Sequence, residues 1–127
     1  MKIAIPSMDG ASISAHFGRS RLFMVFDFEQ GRARSCEIRI NGQAIQSALD
    51  EERHGGRFAH DHGAFARLLG DCGAVLCGGI GHGARQVLEH AGLKVLIVDS
   101  GLAPEEAARA FDEGVLQPGR SDGCGCP

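Results

Sequence analysis

The spacing of hydrophobic positions changes character once along the chain. Lys2–Pro6 is a short apolar run, and after a polar stretch from Ser7 to Gly18 a second run covers Leu22–Phe28. That second run is apolar on both parities, Leu22, Met24 and Phe26 against Phe23 and Val25, as in a strand buried on both faces. Glu29-Gln30-Gly31 predicts a hairpin turn. Arg34–Ile40 then alternates strictly, which predicts a half-buried edge strand with Cys36, Ile38 and Ile40 inward and Ser35, Glu37 and Arg39 outward. On that reading Cys36 is a buried apolar thiol. Asn41 to Gly56 is charged and carries no sustained period, so it reads as a long exposed loop with one helical turn around Gln46–Glu51.

From Asp61 the period becomes helical and then alternates between element types. Asp61 can cap a helix with Phe65, Leu68 and Leu69 on its apolar stripe and Gly70 at its end. Ala74–Cys77 is a strand, Ala84–Ala91 a helix closed by Gly92, and Lys94–Val98 another strand. Pro104 opens a last helix with Glu105 and Glu106 in the first turn, where they suit the dipole. Ala107, Ala108 and Phe111 form its buried face and Gly114 ends it. Strands first and βαβ units after them imply an α/β fold built on a mixed sheet with helices packed on it. One domain over 1–116 and a flexible Gly/Cys tail over 117–127 are expected.

Composition narrows the function classes. The 127 residues suit one domain, and 43% hydrophobic with 23% charged residues is ordinary for a globular protein. A net charge of -3 offers no basic footprint for nucleic acid. No apolar run approaches the ~20 residues of a membrane span, and no signal peptide is apparent, so a cytoplasmic protein is expected. Five cysteines, an odd number, point to free thiols or metal ligands before a disulfide framework. The 19 glycines are about twice ordinary usage, which builds in tight turns and close backbone approaches.

The glycines concentrate where chemistry is also available. Gly78-Gly79-Ile80-Gly81-His82-Gly83 lies between the strand ending at Cys77 and the helix that follows. A strand opening through glycines into a helix start presents bare N–H groups and the positive dipole end to an anion. Gly79 to Ala84 also fits the dinucleotide pattern G-x-G-x-x-G/A, with Asp99 near the spacing expected for a ribose contact. The chain lacks a second mononucleotide-binding half, however, and this βαβ unit comes last in the domain. A nucleophilic role for Cys77 beside His82 lacks a third, orienting group, so no enzyme activity is expected.

A soft-metal or cluster site is the other reading. Cys77 and His82 lie at the carboxyl ends of strands, where open α/β sheets bind ligands. His60 and His62, two apart before the first helix, can face one metal if extended. His16 follows the first strand, and Cys124 and Cys126 offer two thiolates on the tail.

Taken in order, His16-Phe17-Gly18-Arg19, His60-Asp61-His62, Asp71-Cys72-Gly73-Ala74-Val75-Leu76-Cys77-Gly78-Gly79-Ile80-Gly81 and Ala91-Gly92-Leu93-Lys94-Val95 resemble the dinitrogenase iron–molybdenum cofactor biosynthesis family. The resemblance runs from Lys2 to about Leu116. It implies a three-layer, ribonuclease-H-like α/β fold, a five-stranded mixed sheet flanked by helices, without ribonuclease activity. It also implies transient binding of an iron–sulfur cluster or the iron–molybdenum cofactor, and metallocluster donor and acceptor proteins as partners. The cofactor-binding residues expected are His16, Gly79, Gly81, His82, Gly83 and Arg85, with metal ligands drawn from His60, His62, Cys77, Cys124 and Cys126. Of these, the resemblance supports the His16-Phe17-Gly18 loop, His60, His62 and the Gly78–Gly83 loop. His82, Cys77, Arg85 and the tail pair rest on the residue chemistry alone.

Overall fold

Hairpin connections give way to crossovers where the hydrophobic period changes. A computed structural model describes residues 1–29, 32–41 and 63–114. Its elements are β1 (Lys2–Ser7), β2 (Leu22–Glu29), β3 (Arg32–Ile40), α1 (Gly63–Leu69), β4 (Ala74–Cys77), α2 (His82–His90), β5 (Lys94–Ile97) and α3 (Pro104–Glu113), with a single 3-10 turn at Phe17–Arg19. The strands form one sheet in the order β3-β2-β1-β4-β5. β1, β2 and β3 pair antiparallel, whereas β1–β4 and β4–β5 are parallel. This is the mixed α/β sheet expected from the order of elements. The hairpin residues Gln30 and Gly31, the stretch from 42 to 62 and the expected boundary at 116 with its tail lie outside the described residues.

Side-chain alternation splits the core between the two faces of the sheet. Ala4, Phe23, Val25, Val75, Cys77 and Val95 pack with Phe65 and Leu69 of α1 and Ala84 and Leu88 of α2. Ile3, Ile5, Phe26, Phe28 and Leu76 pack on the other face with Ala107 and Ala108 of α3. β2 contributes to both clusters, as its unbroken apolar run requires. Helix α3 begins at Pro104 and stops at Gly114, whose φ of 78° is a left-handed cap that favours glycine. Helix α2 starts two residues earlier than its apolar stripe suggested, because its first turn tolerates the polar His82 and Gly83.

The expectation for β3 is overturned. Its alternation is real, but Cys36 is exposed, and Ile38 and Ile40 are 49% and 56% exposed. α3 packs against β1 and β2, and β3, one strand further out in the sheet, keeps its apolar side exposed. Arg39, expected outward, is the half-buried residue of the strand. Its guanidinium donates to both Asp71 carboxylate oxygens, at 2.7 and 2.8 Å, and to the Leu68 carbonyl at 2.8 Å. The edge strand is thus fastened to the turn between α1 and β4 by a two-pronged ion pair.

That pair has a pH signature. The hydrogen bonds from Arg39 hold the Asp71 carboxyl well below its ordinary value of 3.8, with Lys2 acting in the same direction. A carboxyl lowered on folding contributes its stability above the unfolded value and loses it as pH falls through the folded one. Asp71→Asn is expected to cost about 1 kcal/mol at neutral pH, with allowance for solvent screening. The difference from wild type is expected to shrink below pH 4, which urea unfolding at pH 7 and pH 3 measures.

Candidate cofactor-binding edge

β1 and β4 are parallel neighbours, yet their outgoing chains diverge. The chain after β1 returns through the 3-10 turn to β2 on one side, and the chain after β4 passes through α2 to β5 on the other. In open α/β sheets such a switch point leaves a crevice at the carboxyl ends of the strands. Here backbone hydrogen bonds tie the two loops together. Gly78 donates its N–H to the Ser14 carbonyl at 2.9 Å, and Phe17 donates to the Gly79 carbonyl at 3.1 Å. The approach is closer than any side chain allows. A Cβ on Gly79 would sit 2.5 Å from the Ala15 carbonyl oxygen, and one on Gly78 would meet Ala15 and Ser14 at 3.0 Å and Ser100 at 3.2 Å. Loops following β1, β4 and β5 therefore converge on Gly78. By contrast, nothing lies within 4 Å of a Cβ built on Gly81.

This junction positions His16 and His82. Ser14 and Ser20 hold the backbone of His16: its N–H donates to Ser14 Oγ at 3.0 Å, and its carbonyl accepts from Ser20 Oγ at 2.8 Å and Ser14 Oγ at 3.2 Å. The imidazole-bearing residue itself is exposed. Phe17 buries its ring against Phe65 and Phe23, with centroids 4.9 and 5.1 Å away. The first turn of α1 is thereby packed beside the His16 loop. His82, also exposed, is the first residue of α2. Gly81 occupies the cap position and provides no side-chain hydrogen bond, so the N–H groups of the first turn, which have no helical partner, keep their donor capacity.

Other expected residues fall elsewhere. Cys77 is fully buried among core residues on the α2 face, with its sulfur 3.9 Å from the Leu96 carbonyl. Burial pushes its thiol up to about 12, although the Gly79 amide and the Arg85 charge pull the other way. The Cys77 side chain is enclosed by the core, whereas His16 and His82 are exposed, so the structure does not bring it together with them. Arg85 turns down its helix, donating to Glu89 at 3.3 Å and to the Val95 carbonyl at 3.3 Å. These bonds engage its guanidinium within α2 and with β5. Asp99 spends one carboxylate oxygen on the Gly101 N–H at 2.8 Å, capping its own turn. His60, His62, Cys124 and Cys126 lie outside the described residues. Among the described residues no three His, Cys, Asp or Glu side chains gather into a metal site.

Comparison with known proteins decides the family. The model of the dinitrogenase iron–molybdenum cofactor family matches residues 1–114. The chain belongs to that family. It is 25% identical over 121 residues to the FeMo cofactor biosynthesis protein NifB of Frankia alni, covering 92% of this chain and 23% of that protein. It is 29% identical over 97 residues to NifB of Chlorobaculum tepidum, covering 76% of this chain and 21% of that protein. The chain thus spans less than a quarter of the length of these relatives. Among solved structures it is similar to the apo form of the orange protein from Desulfovibrio gigas, at 26% identity and a TM-score of 0.69, covering 94% of this chain and 92% of that one. The family works in iron–molybdenum cofactor biosynthesis, and the mixed five-stranded sheet with three helices is shared with its solved members. No helix among the described residues is long and apolar enough to cross a membrane.

Within this family frame, the residues that sequence reasoning missed are small ones. Ser14, Ala15 and Ser20 build the junction, and their signal was only an absence of bulk beside His16. Gly79→Ala is expected to destabilise the fold by roughly 1–3 kcal/mol, since backbone must move, whereas Gly81→Ala should cost under about 1 kcal/mol. Urea unfolding of the two variants separates a packing glycine from one facing open space. Thiol accessibility gives a second check. In a Cys124→Ser/Cys126→Ser protein, iodoacetamide at pH 8 should modify Cys36 in the native state, and Cys72 and Cys77 only after unfolding.

Proposed function

We propose that this chain is a binding or carrier domain for an iron–sulfur or iron–molybdenum type cofactor or its precursor, handed between donor and acceptor proteins of metallocluster assembly. The observation that carries the reading is the junction of the His16 and Gly78–Gly83 loops at the switch point, with exposed His16 and His82 beside the uncapped start of α2. An anionic cluster suits that edge: backbone N–H groups can bond its sulfides, and imidazole can ligate iron. Arg19 and Arg21, both exposed beside the same loop, add compensating charge. His60 and His62 complete the proposed ligand set. Support for them comes from α1, which opens at Gly63 immediately after His62 and packs Phe65 on Phe17.

Few ligands suit a carrier, because a cage of four thiolates would resist transfer. The similar orange protein was solved in its apo form. The proposed role is binding without catalysis, and the ribonuclease-H-like architecture implied by the sequence resemblance belongs to the same reading. Anaerobic reconstitution with iron and sulfide, followed by visible absorption and iron counting, tests it. Wild type is expected to bind, with loss in His16→Ala and in His60→Ala/His62→Ala. Absence of binding by wild type sinks the reading. Calorimetric titration with NAD, ADP and ATP tests the competing nucleotide reading of Gly79–Ala84, under which heat appears and is lost in Asp99→Ala.

A further inference from the structure

The outer edge and apolar face of β3 take no part in the site just described. Ile38 and Ile40 are about half exposed and Cys36 is exposed beside them. β3 ends the sheet, and among the described residues no strand pairs with its far side. Nine residues of exposed edge are a template for strand addition unless something blunts it.

The pairing phase shows which residues face outward. Asn41 donates its N–H to the Arg21 carbonyl at 2.9 Å, and the register runs unbroken from Leu22↔Ile40 to Asp27↔Ser35. Alternate residues of an antiparallel ladder bond to the same neighbour. Asn41, Arg39 and Glu37 therefore point their backbone groups at β2, while Cys36, Ile38 and Ile40 point theirs away from the sheet. Among the described residues, the outward backbone donors and acceptors belong to the residues that carry the apolar stripe.

We propose that a second copy of this chain pairs there, β3 against β3, antiparallel and centred on Ile38. Charge selects this register among those that set outward residues opposite one another. Centring on Glu37 opposes two glutamates, and centring on Arg39 opposes two arginines, both unfavourable. Centring on Cys36 sets Arg34 against Ile38 and Arg32 against Ile40. Centring on Ile38 sets Ile38 against Ile38 and Cys36 against Ile40, and it places Glu37 of each copy opposite Arg39 of the other. These two groups already attract within one strand, at 3.1 Å. A single seam between edge strands is smaller than the ~1,200 Å² of a stable interface, so the dimer is weak and concentration-dependent. β2 separates the seam from β1, so both copies keep the loop junction free.

Sedimentation of the full chain from micromolar to millimolar concentration tests the proposal. Wild type is expected to pass from monomer to dimer. Ile38→Lys and Ile38→Glu, each at an exposed position, should leave the melting temperature unchanged and weaken self-association on the order of tenfold or more. Mixed in equal amounts the two variants should recover the dimer, because only this register sets position 38 against itself. A wild type that stays monomeric at millimolar concentration overturns the proposal, as do single variants that associate like wild type or a mixture that does not recover. A monomeric wild type whose melting temperature falls on Ile38→Lys identifies another part of the same chain as the cover, which also overturns it.

Discussion

Two backbones pressed together without side chains between them are the constraint on which the carboxyl edge of this protein depends. Gly79 brings the chain leaving β4 closer to Ala15 than a Cβ permits, Gly78 packs tightly against Ser14 and Ala15, and two main-chain hydrogen bonds close the seam. Everything of chemical interest hangs from this seam. His16 follows it on one side, and the N-terminus of α2 follows on the other. The ring of Phe17, one residue from His16, then anchors α1 through Phe65.

The two halves of the sheet divide the labour. The antiparallel half, β3-β2-β1, is fastened by a long hairpin and by the Arg39–Asp71 pair. The parallel half, β4-β5, is short, with four residues in each strand, and is buried by helices that also define where the loops emerge. The loops that follow β1, β4 and β5 thus meet at one edge of the sheet, where binding residues are ordinarily found.

Much of this was legible from residue spacing. β4 begins and ends where its apolar run does, and the glycine that stops α3 sits where the helical stripe fails. The mixed sheet followed from element order. β3 shows what spacing withholds: alternation gives two faces but not which one a helix will cover, and Cys36, Ile38 and Ile40 lie exposed where their spacing predicts burial. Cys77 shows a signal overlooked. Its place at a strand end suggested the functional edge, yet it shares parity with Val75, and that parity sends its side chain into the core under α2. The seam itself was only half visible. A glycine pair announces a close approach but does not name what approaches, and Ser14-Ala15 lies more than sixty residues away in the chain.

That separation has a consequence for when the protein becomes competent. The β2–β3 hairpin pairs residues close in sequence, whereas Ile3 meets Ala74 and Gly78 meets Ser14 only across most of the domain. Contacts of such long range are the slow ones to form, since a large loop must be closed before they stabilise anything. The binding edge does not exist in a chain that has folded its hairpin alone. The junction of the two loops is in this way tied to completion of the fold, and a half-folded chain does not yet present His16 and His82 on one edge.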